Sequence, residues 1–245
     1  MHWSRVWDLP INPTKCHYMS IGRQPSPRVY HLMDTPLLAS ACERDLGVLV
    51  SRSLKTKEQT DNACALSWKI LGAIRRSFSK LSYDGFKALY TSHTRPRLEF
   101  ASAAAYPYTT AEMVKLERVQ RAATRMIAGL RGCCYTERLH ATGLFPESYR
   151  RVRGDIICVR RILRGDMGPE LMEYFPLREQ TRTRGHGLTL LKLSSVGLPL
   201  RFRLSRRVTN LWNSLPADVV EEVNDKMFKR KLDSVLRTMW YADLS

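Results

Sequence analysis

From Thr56 onward the apolar residues return every three or four positions. That spacing puts them on one stripe of an α-helix and obliges the stripe to find other helices to cover it. Between Thr56 and Phe78 the stripe is Ala63, Leu66, Ile70, Leu71 and Ile74, with Arg75 and Arg76 in the last turn, where cations suit the helix dipole. Ser82 is a fitting N-cap for a second helix that carries Phe86, Leu89 and Tyr90. Pro96 ends or kinks that helix, and the stretch from Leu98 to Tyr106 resumes it. Tyr106-Pro107 opens a loop, after which Thr109 or Thr110 caps the most regular helix of the chain, running to about Gly129. Its apolar stripe is Met113, Leu116, Val119, Ala123, Met126 and Ile127, and its other face displays Lys115, Arg118, Arg121 and Arg125, with Glu117 spaced to pair with Arg121. A short helix over Thr136 to Thr142 and a longer one from Pro146 to Arg164 follow, the latter stopping before Gly165. Between Gly165 and Pro199 the periodicity loosens, and Arg178 to Gly187 has the composition of a basic loop. Helices near Arg201 to Leu215 and Val223 to Trp240 close the sequence, so the fold class is mainly α.

The first fifty residues have a different texture. Trp3 and Trp7 bracket a short polar stretch, and Leu9 and Ile11 alternate with polar neighbours up to the turn at Asn12-Pro13. His17 to Ile21 predicts a short strand ending at Gly22, and Pro25 and Pro27 mark a loop. Val29 to Leu32 and Leu37 to Leu38 are spaced as a hairpin, and Asp45 to Val50 predicts one further strand. Three regions follow: 1–54, a short α/β or β-hairpin part; 55–130, a helical module; and 131–245, a helical extension with a basic loop at about 176–200.

Charge decides what partners such a fold attracts. Lys and Arg number 40 against 23 Asp and Glu, a formal net charge of +17, and most of the cations are arginine. A chain this basic favours polyanions, and the guanidinium fork matches phosphate oxygens and stacks on bases. The residues placed to meet a nucleic acid are Lys69, Arg75 and Arg76 on the first long helix, Lys115, Arg118, Arg121 and Arg125 on the most regular one, and Arg182, Arg184 and His186 in the basic loop. Tyr83, Phe86, Tyr90, Trp68, Phe100, Tyr106 and Trp212 have rings suited to stacking, but aromatics at helical spacing belong by default to the core. Other chemistries find no support. The six cysteines show no C-x-x-C and no following histidine pair, so no metal site is expected and free intracellular thiols fit them better. His93, His140 and His186 match no triad or metal spacing, and no G-x-S-x-G occurs. Neither a leader at Met1 to Ile11 nor an apolar run of membrane-spanning length is evident. No small-molecule substrate or membrane partner is expected.

Seven phrases, in order, carry a resemblance. They are Trp7-Asp8-Leu9-Pro10-Ile11-Asn12-Pro13-Thr14-Lys15-Cys16, Arg44-Asp45-Leu46-Gly47-Val48, Arg95-Pro96-Arg97-Leu98-Glu99-Phe100, Leu116-Glu117-Arg118-Val119-Gln120-Arg121-Ala122-Ala123-Thr124, Arg150-Arg151-Val152-Arg153-Gly154-Asp155, Thr183-Arg184-Gly185-His186, and Val208-Thr209-Asn210-Leu211-Trp212-Asn213-Ser214-Leu215-Pro216. Together they resemble the downstream half of reverse transcriptases from non-LTR retrotransposons of the jockey and chicken-repeat types.

The resemblance implies a layout. Residues 1–54 would be the end of a palm and a primer-grip hairpin, 55–130 a helical thumb, and 131–245 a family-specific C-terminal extension. It implies RNA, DNA or an RNA–DNA hybrid as partner. It also implies that Lys15 occupies the position of a palm lysine near the departing pyrophosphate, where a cation offsets charge on the leaving oxygens. The complete polymerase would use Mg2+ held by clustered carboxylates. This sequence contains no Asp-Asp pair. Tyr241-Ala242-Asp243-Leu244 imitates the catalytic phrase but has Leu where the second Asp is needed, and Glu221-Glu222 is charge near a helix start. The chain is therefore expected to be an RNA-directed DNA polymerase fragment that binds template and primer, is inactive alone and holds no cofactor. The other readings are a stand-alone nucleic-acid-binding or interaction protein derived from such an element, or a remnant without function. Residues 1–54, lacking sheet partners, are expected to be weakly anchored.

Overall fold

The computed structural model describes residues 2–22, 28–179, 185–192 and 203–242, with only the backbone at His2 and at 240–242. The chain divides into two compact units, Met1–Gln59 and Thr60–Ser245. The fold is mainly α, with short strands confined to the first unit among the described residues.

The first unit begins with a helix, α1 (His2–Val6), within the stretch that Trp3 and Trp7 bracket, and Leu9 to Asn12 follow outside any helix. Asn12 then caps a single 3-10 turn, Pro13–Lys15, its side chain accepting from Thr14 N at 3.0 Å. Six strands follow: β1 (His17–Tyr18), β2 (His31–Leu32), β3 (Thr35–Pro36), β4 (Leu38–Ala39), β5 (Cys42–Asp45) and β6 (Val48–Ser51). They pair only in twos: β1 with β4 in parallel, and β2 with β3 and β5 with β6 antiparallel. The expected hairpin therefore forms as β2–β3, but Leu38 leaves it to pair with His17. The single strand expected over Asp45 to Val50 is instead a hairpin. Leu46 (φ +45°) and Gly47 (φ +87°) both lie in the left-handed region and turn the chain in two residues, placing Asp45 opposite Val48. Two positive φ values are what a tight hairpin turn of the primed type demands. Leu46 is unusual there and stands 91% exposed. Trp3, Trp7, Val29 and Leu38 are also exposed, so two-stranded pairing leaves much of this unit's apolar surface uncovered.

The helix α2 (Lys57–Ser77), which from Thr60 onward belongs to the second unit, matches the expected helix almost residue for residue. Ser82 caps α3 (Tyr83–Leu89) through its hydroxyl, 3.2 Å from Gly85 N. Pro96 does not end the run. The helix widens to π spacing over Tyr90–Thr94, with Arg95 N donating to Tyr90 O, and Pro96 enters in the first turn of α4 (Arg95–Glu99), where its missing N–H costs least. No helix resumes to Tyr106, because Ala101 at φ +53° reverses the chain into turns. The most regular helix, α5 (Thr110–Thr124), opens with a capping box between Thr109 and Glu112. It stops about one turn earlier than expected, where Ala128 N pairs with Leu81 O and Gly129 turns at φ +82°.

After it come α6 (Tyr135–Thr142), α7 (Glu147–Leu163), α8 (Pro169–Met172), α9 (Leu204–Arg207), α10 (Thr209–Ser214), α11 (Ala217–Val220) and α12 (Asp225–Ala242). Two apolar cores lie within this unit. One gathers Leu71, Ile74, Phe86, Tyr90, Leu98, Leu116 and Val119 from α2 to α5. The other gathers Tyr149, Ile156, Val159, Trp212, Phe228, Leu232 and Leu236 from α7 and the C-terminal helices. Between α5 and α7 runs a polar seam. Buried Gln120 accepts from Tyr90 Oη (2.8 Å) and donates to Tyr135 Oη and Phe145 O (2.9 Å each).

Candidate nucleic-acid interface

The capping box sets how α5 uses its charges. Its two acids are both spent inward. Glu112 closes the N-terminus, accepting from Thr109 N at 2.9 Å. Glu117 accepts from Tyr135 Oη and, at 2.8 Å, from Glu147 N at the start of α7, where a carboxylate complements the helix dipole. The expected pairing of Glu117 with Arg121 is thus replaced, because a half-buried N–H and a tyrosine hydroxyl compete less with water than an exposed guanidinium does. Arg118, Arg121 and Arg125 are left on the exposed face. Spaced three and four residues apart, they form one row roughly 10 Å long at about 1.5 Å per residue. That is the axial length of about three phosphates on one strand of a duplex. Arg121 lies 4.3 Å over the Tyr135 ring, which holds it in place without neutralising it. Lys115 leaves the row, since its ammonium pairs with Asp61 on α2.

On α2, Lys69, Arg75 and Arg76 are exposed. The Arg76 guanidinium folds back along its own helix, close enough that a Cβ added to Gly72 would meet its Nη1 at 3.4 Å. Among the described residues no ion pair uses Lys69, Arg75, Arg76, Arg118, Arg121 or Arg125. Arg182 and Arg184 lie outside the described residues. Their neighbour His186 does not stand on the surface. It is 4% exposed, with Nε2 3.1 Å from Trp212 O and its ring edge-on to the Trp212 indole.

Several arginines elsewhere on the sequence serve the interior. On α7, Arg150 pairs with Glu99, Arg151 donates to Leu98 O (2.7 Å), and Arg153 grips Asp233 of α12 with two bonds (2.5 and 3.0 Å). Arg160 donates to Val223 O (3.0 Å) and covers the Phe228 ring at 4.2 Å. Asp155 receives Arg207 of α9 through Nε (2.7 Å) and Nη2 (2.8 Å), and the same guanidinium donates to Ala103 O. Burial pushes the Asp155 carboxyl up and the Arg207 bonds pull it down. Glu147 is fully buried with neither carboxylate oxygen hydrogen-bonded. Burial first, then the nearby charge of Glu99, pushes it to about 7, against the pull of Arg150 and Arg151.

The aromatic residues split. Phe86, Tyr90 and Trp212 are buried as expected, and Tyr106 is half-buried beneath Arg207. Trp68 and Phe100 instead stand 46% and 48% exposed. Tyr83 is also exposed, with its hydroxyl donating to Thr142 O. Phe78, which the apolar pattern treats as the end of a helix, is exposed too.

Lys15 ends the 3-10 turn of the first unit and is exposed. Among the described residues no three or more His, Cys, Asp or Glu side chains come together closely enough to hold a metal ion. The described residues offer no carboxylate cluster of the kind that a two-metal centre uses. No described helix is long and apolar enough to cross a membrane. Compared with family models, with curated proteins and with solved structures, the chain finds no match.

Proposed function

We propose that this chain is a nucleic-acid grip, the thumb-like and C-terminal part of a reverse transcriptase of the non-LTR retrotransposon type. Its partner in this reading is RNA, DNA or their hybrid. The observation that carries the reading is the division of charge on α5, with both acids bonded inward while Arg118, Arg121 and Arg125 face out without an ion-pair partner. A solvated helix face needs no such division, since acids and bases interspersed on its surface would serve solubility equally well. A row of unopposed guanidiniums suits a polyanion, because each phosphate it meets releases condensed counterions. In this role the chain contributes position rather than bond chemistry, holding a template and primer end in place. A second reading, a stand-alone binding module, is favoured by the two apolar cores that lie wholly within Thr60–Ser245.

The test is a fluorescence-anisotropy titration against an RNA–DNA hybrid, single-stranded RNA and duplex DNA across a salt series. The thumb reading expects tight binding to hybrid or RNA that weakens steeply with salt. Replacing Arg118, Arg121 and Arg125 together by Ala should flatten the salt slope by about 0.9 for each phosphate no longer neutralised. Binding that ignores both the salt and the triple substitution would remove the α5 face from consideration.

A further inference from the structure

A groove opens in the second unit between the last turns of α2 and the π turn with α4, with a volume of about 480 Å3. That lies within the range of sites that enclose small ligands, roughly 300–1,000 Å3. Ile70 and Ile74 of α2 form its apolar floor, and Phe78 and Phe100 line it with rings 46% and 48% exposed. Such exposure is costly for two phenylalanines with no service to perform, since burial of each ring would be worth kilocalories. Ala101 follows Phe100 at φ +53°, a conformation that a residue with a Cβ adopts only when its surroundings impose it. The π turn, a device that recurs at functional sites, brings Ser92 and His93 to the same wall.

Charge identifies the occupant. None of the groove's lining residues is acidic, and Arg97 lines it beside His93. From Lys69 to Phe100 the sequence carries seven Lys and Arg against Asp84 and Glu99. Glu99 is itself bonded to Arg95 and Arg150. A second copy of this chain, at net charge +17, would bring cations against cations here. Exposed aromatic rings within a basic surface are the arrangement that single-stranded nucleic acids use, with bases stacked on rings and backbone on guanidiniums.

We infer that this groove takes unpaired nucleobases of a single strand, stacked on Phe78 and Phe100, with an adjoining phosphate met by Arg97. The inference rests on the nucleic-acid reading above and adds to it a preference for unpaired ends or overhangs over blunt duplex.

The experiment uses the full chain with a short single strand containing 2-aminopurine and with a blunt duplex of the same length. Phe78→Leu with Phe100→Leu keeps the groove apolar and removes the rings, while Phe78→Tyr with Phe100→Tyr keeps them. The leucine pair should lose on the order of tenfold in single-strand affinity, as expected when base stacking is removed. It should also abolish the quenching of 2-aminopurine and leave duplex affinity unchanged, whereas the tyrosine pair should retain all three. If the leucine pair binds and quenches like wild type, the groove is not a base site, although the grip on α5 stands. If wild type sediments as a dimer or larger complex that the leucine pair dissociates, the occupant is protein and the inference falls. If wild type binds neither nucleic acid, the wider reading fails and takes the groove with it.

Discussion

Helices α5 and α7 are both rich in arginine, and in the sequence both look like basic amphipathic helices of similar length. The structure gives them opposite uses. On α5 the guanidiniums of Arg118, Arg121 and Arg125 face solvent and the carboxylates face the interior. On α7, Arg150, Arg151, Arg153 and Arg160 turn inward onto Glu99, Leu98 O, Asp233 and Val223 O. The difference lies in what each helix packs against. The inner side of α5 gives its apolar stripe to the core it shares with α2 to α4, and the face that carries the three guanidiniums is exposed. By contrast, α7 has neighbours on several sides, so part of its polar face is enclosed and each enclosed charge must have a partner. Net charge is therefore a poor measure of the surface available to a polyanion, because a sizeable share of the arginine excess acts as internal strapping.

The contrast can be broken at several points. The largest effect is expected at the Asp155–Arg207 pair, whose side chains are 5% and 11% exposed. Arg207→Ala leaves a buried carboxylate without its partner and should cost about 3–5 kcal/mol in urea denaturation, the usual result of halving a buried pair. A loss below about 1 kcal/mol, the range of an exposed pair, would mean that the straps are dispensable.

Next comes Glu147. A carboxyl raised from 4.5 to about 7 in the folded chain binds more protons folded than unfolded between those values, so stability falls as pH rises through that window and is flat above it. At about 1.4 kcal/mol per tenfold change in acid constant, the fall amounts to roughly 3 kcal/mol. Glu147→Gln should therefore stabilise the chain above that window, do little below it, and remove the slope from a series of denaturation curves. A wild-type stability that rises steadily across the window would contradict the burial of this group as an uncompensated acid.

Arg153→Ala should cost less, about 1–2 kcal/mol, because its bonds to Asp233 are partly open to water. The smallest stability effect belongs to α5, where Arg118→Ala, Arg121→Ala and Arg125→Ala should each stay within about 0.5 kcal/mol of wild type. Those same substitutions should weaken nucleic-acid binding, while Arg153→Ala, assayed at a temperature where it is folded, should not. If thermal melts and salt titrations rank α5 and α7 the other way round, the division between grip and strap is wrong.

Regular helices are legible because their signals are local. The stripe from Ala63 to Ile74 marks α2, Ser82 marks the start of α3, and Thr109 with Glu112 marks α5. Wherever the outcome turns on non-local contacts, local reading fails. Asp45 to Val50 looks like one strand until Leu46 and Gly47 take positive φ. Glu117 looks like Arg121's partner until Tyr135 and the N-terminus of α7 arrive. Phe78 and Phe100 carry no mark in the sequence that separates them from a core phenylalanine such as Phe86.

By itself, the sequence determined the helical class, the placement of the long helices and the large positive charge, since periodicity, caps and ionisable groups are properties of neighbouring residues. Which arginines point outward, which carboxylate is buried and raised, and which aromatic rings stay in solvent were decided only by tertiary structure. A side chain's solvent exposure and partners depend on residues far along the chain that packing brings beside it.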